Sequence, residues 1–249
     1  MLTTDFQVTQ KQGAANIVTS SDIAVQEFLR SRLSELLPNC GFLCEEEDAH
    51  DLAHEYTWII DPIDGTANYS RGIRECAICV GLKHNSKMEL AAVYLPRLDE
   101  LFTAQRGKGA TLHHPVSGKP SQPIHVSQRP FANSIMCTAL PVYYKEYAPV
   151  CSDIIRNVFM QCNDIRRFGA AAPELCYIAM GRCELYFEYL LSPWDFAAAS
   201  LILEEAGGIL SDLEGHPLKH TNRSGVLAAN NKENLNRLLS IVAECKSAH

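Results

Sequence analysis

The stretch Trp58-Ile59-Ile60-Asp61-Pro62-Ile63-Asp64-Gly65-Thr66-Ala67-Asn68-Tyr69 sets two carboxylates at the end of an apolar run. Residues 56–60, YTWII, read as a buried strand that emerges at Asp61. Pro62 has no amide hydrogen to donate, so the expectation is that the ladder breaks there and the chain turns Asp64 back toward Asp61. Gly65 permits tight backbone geometry, and Thr66 adds a hydroxyl. Carboxylates held this close repel, and a hard divalent cation such as Mg2+ neutralises both through oxygen ligands. Taken alone, DPIDGT suits an Asx-type turn equally well.

Two further acidic segments shift that balance. GFLCEEE (41–47) places Glu45 and Glu46 at the end of a second apolar strand, and SPWDFAAASLILEEAGG (192–208) places Asp195 in the first turn of an apolar helix. A carboxylate there caps the helix and complements its dipole. A helix this apolar is buried, so the same carboxylate faces the interior or a cleft and needs a partner. A solvated acidic face for Glu45 and Glu46 is the plain alternative.

The other elements follow from periodicity. A helix is expected over 20–38, with Ser20 or Ser21 as cap and Pro38 as stop. An antiparallel meander spans 76–112, a polar loop 113–123, and strands 124–127 and 134–140. Beyond these, helices at 146–161, 171–181, 194–206 and 232–246 alternate with strands at 164–167, 183–190, 208–212 and 225–230.

The bulk numbers exclude several classes. The chain has 249 residues, net charge −7 and 47% apolar residues, and a pI near 5.7. This balance argues against nucleic-acid and membrane-surface partners and suits a protein that concentrates cations. No apolar run reaches the length of a membrane span, and MLTTDFQVTQKQG lacks the layout of a signal peptide, so a cytoplasmic location is expected. The ten cysteines are expected to be reduced and mostly buried. Cys76 and Cys79 lie an odd number apart in a strand pattern and face opposite ways, which does not suit shared zinc.

In order along the chain, GFLCEEE, WIIDPIDGTANY and SPWDFAAASLILEEAGG resemble the inositol monophosphatase family of Mg2+-dependent, lithium-sensitive phosphomonoesterases. The similarity runs from NIVTSSD at Asn16 to VLAANN near 231 and includes AQRGKGA (104–110) and DIRRFGAAAPELCYIAMGRCELYFE (164–188). The resemblance implies a mixed α+β and α/β fold, a layered α/β/α/β/α sandwich of the inositol monophosphatase and fructose-1,6-bisphosphatase type. It implies one phosphatase domain over 1–249, with the meander in about 1–135 and the α/β part in about 136–249, lacking the family's usual first helix.

It further implies two to three Mg2+ ions. Glu45, Asp61 and the Ile63 carbonyl would hold the first and Asp61, Asp64 and Asp195 the second, with Glu45 and water serving a weaker third. Thr66, Asp22 and Glu45 would be catalytic. Gly65, Thr66, Glu188, Arg166 and Asp195 would contact substrate, with Lys11 as a further positive charge. The implied substrate is a small phosphorylated polyol, foremost an inositol monophosphate, and the implied assembly a homodimer. Fructose 1,6-bisphosphate, histidinol phosphate and 3′-phosphoadenosine 5′-phosphate are the alternatives, Arg166 and Arg167 being placed to reach a second phosphate. A catalytically degraded regulatory relative is the alternative of another class, and a structural Ca2+ site a third. The chain departs from the family at Cys44, Ala170 and Ala199, none of them a predicted metal ligand.

Overall fold

The computed structural model describes residues 8–10, 17–47 and 53–249. It begins with an antiparallel ribbon of β1 (Val8–Gln10) and β2 (Ile17–Thr19), followed by α1 (Ser20–Leu36). A seven-stranded sheet then forms in the order β3-β4-β5-β6-β7-β8-β9. Its strands are β3 (Gly41–Cys44), β4 (Tyr56–Asp64), β5 (Ala77–His84), β6 (Lys87–Leu95), β7 (Glu100–Gln105), β8 (Gly109–His113) and β9 (Gln122–Ile124). Only the β3–β4 pair is parallel. A short helix, α2 (Thr66–Ser70), follows β4; the sequence pattern had suggested only a turn there.

The second sheet has five strands in the order β11-β10-β12-β14-β13. They are β10 (Ile135–Thr138), β11 (Asp164–Arg166), β12 (Leu185–Leu191), β13 (Ile209–Ser211) and β14 (Ser224–Ala229). β10, β11 and β12 run parallel, so their carboxyl ends share one edge. Four helices accompany this sheet: α3 (Ala148–Phe159), α4 (Ala171–Ala179), α5 (Pro193–Glu205) and α6 (Lys232–Lys246).

Apolar faces stack these elements into five layers. Leu33 of α1 packs with Phe42, Trp58, Ile60 and Leu82 on the outer face of the first sheet. Its inner face, carrying Ile59, Cys79, Val93 and Phe102, meets α4 and α5, which also cover the second sheet. The far side of that sheet packs Ile154 and Val158 of α3 and Leu238 and Ile241 of α6. The result is the expected α/β/α/β/α sandwich. α5 is largely apolar because it lies between two sheets, with Ala198 facing Gly81 of β5, where an added Cβ would stand 2.5 Å from Met88 Cε.

Pro62 does not stop the strand as expected. β4 does not end at Asp61; it continues to Asp64 through a bulge in which Asp61 pairs with Cys79 and Asp64 with Ala77. One extra residue is taken up between them, and Pro62 sits where the ladder is already interrupted. All ten cysteines are free thiols, eight of them buried, as expected. No helix among the described residues is long and apolar enough to cross a membrane.

Phe196 of α5 is fully buried in the central layer. Phe196→Ala is expected to lower the unfolding free energy by about 3–5 kcal/mol, read as a lower urea midpoint at an unchanged slope. A loss below about 1 kcal/mol would mean that this layer does not carry the packing.

Candidate active site

The bulge in β4 builds the site. Side chains alternate along a strand, so residues three apart face opposite ways. With one residue added between them, Asp61 and Asp64 oppose Cys79 and Ala77, two apart, and both turn to the inner face. Asp61 is 1% exposed and Asp64 8%. The bulge also closes on itself, with the Ile63 amide donating to Asp61 Oδ1 at 2.9 Å.

Neighbouring segments aim the remaining groups. The Ala171 and Ala172 amides, opening α4, donate to the two oxygens of Asp64 at 3.3 and 2.7 Å. Asp195 accepts from the Ser192 amide at 2.7 Å, capping α5 as well as facing the cluster. Glu45 follows β3, its amide donating to Ile60 O at 3.3 Å. The next amide, Glu46, donates to Gln26 Oε1 of α1 at 3.0 Å.

Electrostatics confirm the convergence. Asp61 is held well above the carboxylate range, first by burial and then by Glu45, Asp64 and Asp195. Asp195 is raised likewise, by burial and then by Asp64 and Glu45. Asp64 rises to about 6 through burial, against the two α4 amides. Thus acidic residues of three distant segments lie near one another, and their neighbours make Asp61 and Asp195 harder to ionise. An all-oxygen donor set under such mutual repulsion fits a hard divalent cation. No three His, Cys, Asp or Glu side chains among the described residues stand close enough to hold an ion in the arrangement seen. Closing on one would require Asp64 and Asp195 to share their oxygens between the ion and the amides that now engage them.

Beside the cluster, Thr66 Oγ1 lies 3.2 Å from Asp22 Oδ1 and 3.0 Å from Ile63 O, with one proton to share between them. Asp22, in the first turn of α1, is fully buried. Gly65 takes φ +85°, and a Cβ on it would come within 3.0 Å of Ala170 Cβ and 3.1 Å of Glu75 O. Only glycine fits that turn.

Glu188 stands across the cleft on β12, at a second bulge, between Glu188 and Leu191. It accepts from Tyr186 OH at 2.6 Å. Burial raises it to about 7, the Tyr186 bond and Arg167 opposing and Asp64 adding to the rise. Arg166, expected at the substrate, instead pairs with Asp164 at 2.5 Å. The cation that reaches Glu188 is Arg167. Successive residues leaving a strand point apart, and the tandem arginines did not say which one faces in. Lys11 lies outside the described residues.

Sequence reasoning missed two residues, one that ties the halves together and one that holds the turn before α4. Asn68 of α2 donates through Nδ2 to Glu75 O and Phe168 O, both at 2.7 Å. Glu174, 1% exposed, accepts from the Phe168 and Gly169 amides at 2.7 and 2.9 Å, while its Oε2 has no partner among the described residues. Burial, opposed by the Gly169 amide and helped by Glu188, raises it to about 8. One acidic residue in the otherwise apolar AAPELCYIA was the available sign.

Comparison with known proteins follows the same outline. The sequence profile of the inositol monophosphatase family matches residues 2–247. Nus factor SuhB of Escherichia coli K12 is 34% identical over 215 residues, covering 86% of this chain and 78% of that protein. The crystal structure of extragenic suppressor protein suhB from Bartonella henselae superposes with a TM-score of 0.84 at 32% identity, covering 96% of this chain and 88% of that one. Inositol monophosphatase from Anabaena (Nostoc) sp. PCC 7120 gives 0.80 at 30% identity, covering 92% and 88%.

Glu174 has a pH signature. Its folded value near 8 stands above the ordinary 4.5, so the folded chain keeps a proton that the unfolded chain has released. Stability therefore falls as pH rises from about 4.5 to about 8 and levels off beyond. Glu174→Gln keeps the accepting oxygen and removes the titration. It is expected to match wild type at pH 4.5 and to be more stable by a few kcal/mol, roughly, at pH 9. Urea midpoints at the two pH values measure this; an equal gap at both would refute it.

Proposed function

The chain belongs to the inositol monophosphatase family, and from that premise we propose that it is a Mg2+-dependent phosphomonoesterase acting on a small polyol phosphate, foremost an inositol monophosphate. The observation that carries the proposal is the convergence of Glu45, Asp61, Asp64 and Asp195 beside the Thr66–Asp22 pair. Glu45, Asp61, the Ile63 carbonyl, Asp64 and Asp195 would hold two to three Mg2+ ions. Bound there, the metal supplies charge that neutralises the ester phosphate and acidifies water.

The chain's own groups do the rest. Asp22 accepts from the Thr66 hydroxyl and turns the Oγ1 lone pairs outward. A water donating to Thr66 Oγ1 then directs its own lone pair at phosphorus, in line with the leaving oxygen. The Gly65 and Thr66 amides donate to phosphate oxygens, as successive amides in a tight turn do. Glu188 accepts from a hydroxyl of the leaving alcohol. Arg167 offers a counter-charge to a second anionic group, which keeps the bisphosphates in the panel to be tested, with histidinol phosphate, which has no second anion, as the contrasting ester. Sensitivity to Li+, a homodimer and a cytoplasmic location complete the proposal.

The name Nus factor, borne by relatives such as that of E. coli, favours a second reading: a role of the kind that name denotes, alongside or in place of hydrolysis. Complementation of an E. coli strain lacking SuhB with wild type and with Asp61→Asn separates the two. Rescue by both would place that role outside the carboxylate cluster.

With Mg2+, wild type is expected to hydrolyse inositol 1-phosphate, and Asp61→Asn to lower kcat/KM by roughly 10³-fold or more. Thr66→Ala is expected to cost about 10²-fold in kcat, partly restored by Thr66→Ser. Phosphate release across the ester panel checks both, and activity undiminished in excess chelator would refute the scheme.

A further inference from the structure

The loop that leaves β10 brings an aromatic side chain to the site that neither the carboxylates nor the mechanism uses. β10, β11 and β12 are parallel, so the loop after Thr138 emerges at the edge where Arg167 and Glu188 also leave the sheet. Ligands of open α/β sheets bind at this carboxyl edge. Residues 140–144 read Leu-Pro-Val-Tyr-Tyr, and Leu140, Val142 and Tyr143 are 39%, 41% and 58% exposed. Tyr143 occupies the third position of a tight turn closed by the Tyr144 amide donating to Pro141 O at 3.1 Å.

The turn is anchored behind this residue. Arg223 donates to Tyr144 OH and lies over its ring, 5.9 Å from the centroid. Tyr147 stacks on Tyr189 at 4.6 Å, and Tyr189 is the next residue in β12 after Glu188. Tyr143 is thereby fixed relative to Glu188. Burial, and after it the charges of Glu45, Asp195, Glu188 and Asp61 from both sheets, push the Tyr143 phenol up. An exposed tyrosine at this edge of the sheet offers an apolar face and a hydrogen-bonding group to whatever enters.

Resting on the phosphatase reading above, we propose that Tyr143 determines specificity, its ring forming the wall along which the leaving group of a cyclic polyol phosphate lies and its hydroxyl sharing a substrate hydroxyl with Glu188. The flat C–H face of a six-membered polyol ring matches the tyrosine face. An acyclic ester such as glycerol 1-phosphate presents no such face, so its preference is expected to depend less on this residue.

Tyr143→Ala and Tyr143→Phe test the proposal, with kcat and KM measured for myo-inositol 1-phosphate and glycerol 1-phosphate in Mg2+. In Tyr143→Ala the ratio of kcat/KM for the cyclic to the acyclic ester is expected to fall about tenfold, mainly through the KM of the cyclic one. Tyr143→Phe should restore the share that belongs to the ring. A ratio unchanged in both variants overturns the proposal and leaves the phosphatase reading intact. Calorimetry of myo-inositol 1-phosphate with Ca2+ in place of Mg2+ supplies an arm independent of turnover. If wild type hydrolyses no ester but Tyr143→Ala binds the cyclic one about tenfold more weakly, only the phosphatase reading fails. Equal binding by wild type and variant, or none by either, overturns the proposal.

Discussion

A strand alternates its side chains, so two aspartates three residues apart cannot share a face of a regular sheet. The single extra residue between Asp61 and Asp64 removes that bar, and the site depends on it. Without the bulge, Asp64 would point to the outer face toward α1, away from Asp195 and the α4 amides. Pro62 belongs to the same device: it costs no ladder hydrogen bond where the ladder is already interrupted. β12 repeats the solution, with a bulge immediately after Glu188. Each sheet is thus irregular where it meets the cleft, and bulges commonly re-aim side chains beside active sites.

Gathering carboxylates in a dry place is unfavourable, and the fold offsets it with backbone amides. Asp64, Asp195 and Glu174 each accept main-chain hydrogen bonds from a turn or helix start. These bonds stabilise charge without bringing in a lysine or arginine that would compete with a cation. They also fix direction, because a carboxylate held by two amides has little freedom left for its remaining lone pairs. The largely apolar α5 serves the same end: packed between two sheets, it presents Asp195 from a buried support.

Much of this was legible in the sequence. Asp61, Asp64, Asp195 and Glu45 stood out as a set: each alone has an ordinary reading as turn, cap or solvated face, but three such segments in order resemble one family's site. The strands of the meander and α6 were readable because their periodicities are long and clean. The bulge was not: Pro62 read as a stop, and only pairing with β5 shows that the strand goes on. Arg167 could not be told from Arg166, since facing is set by where β11 ends. Asn68 and Tyr143 were hidden because each acts across a chain distance that no local pattern encodes, joining α2 to Phe168 and the loop after β10 to the acidic cluster. Glu174 instead holds amides five and six residues before it, a local turn that a single acidic residue in an apolar helix does not spell out.

The two amides on Asp64 have a consequence for the order in which the molecule is made. The first sheet is complete at β9, and with it both aspartates of the bulge, while the residues that orient Asp64 belong to α4 of the second half. A chain emerging amino terminus first therefore carries the two aspartates on an uncovered sheet face, still open to water, with nothing yet to direct Asp64. Docking of α4 and α5 seals the core and completes the cluster in one event. The contact that buries the two acids is thus the same one that orients Asp64.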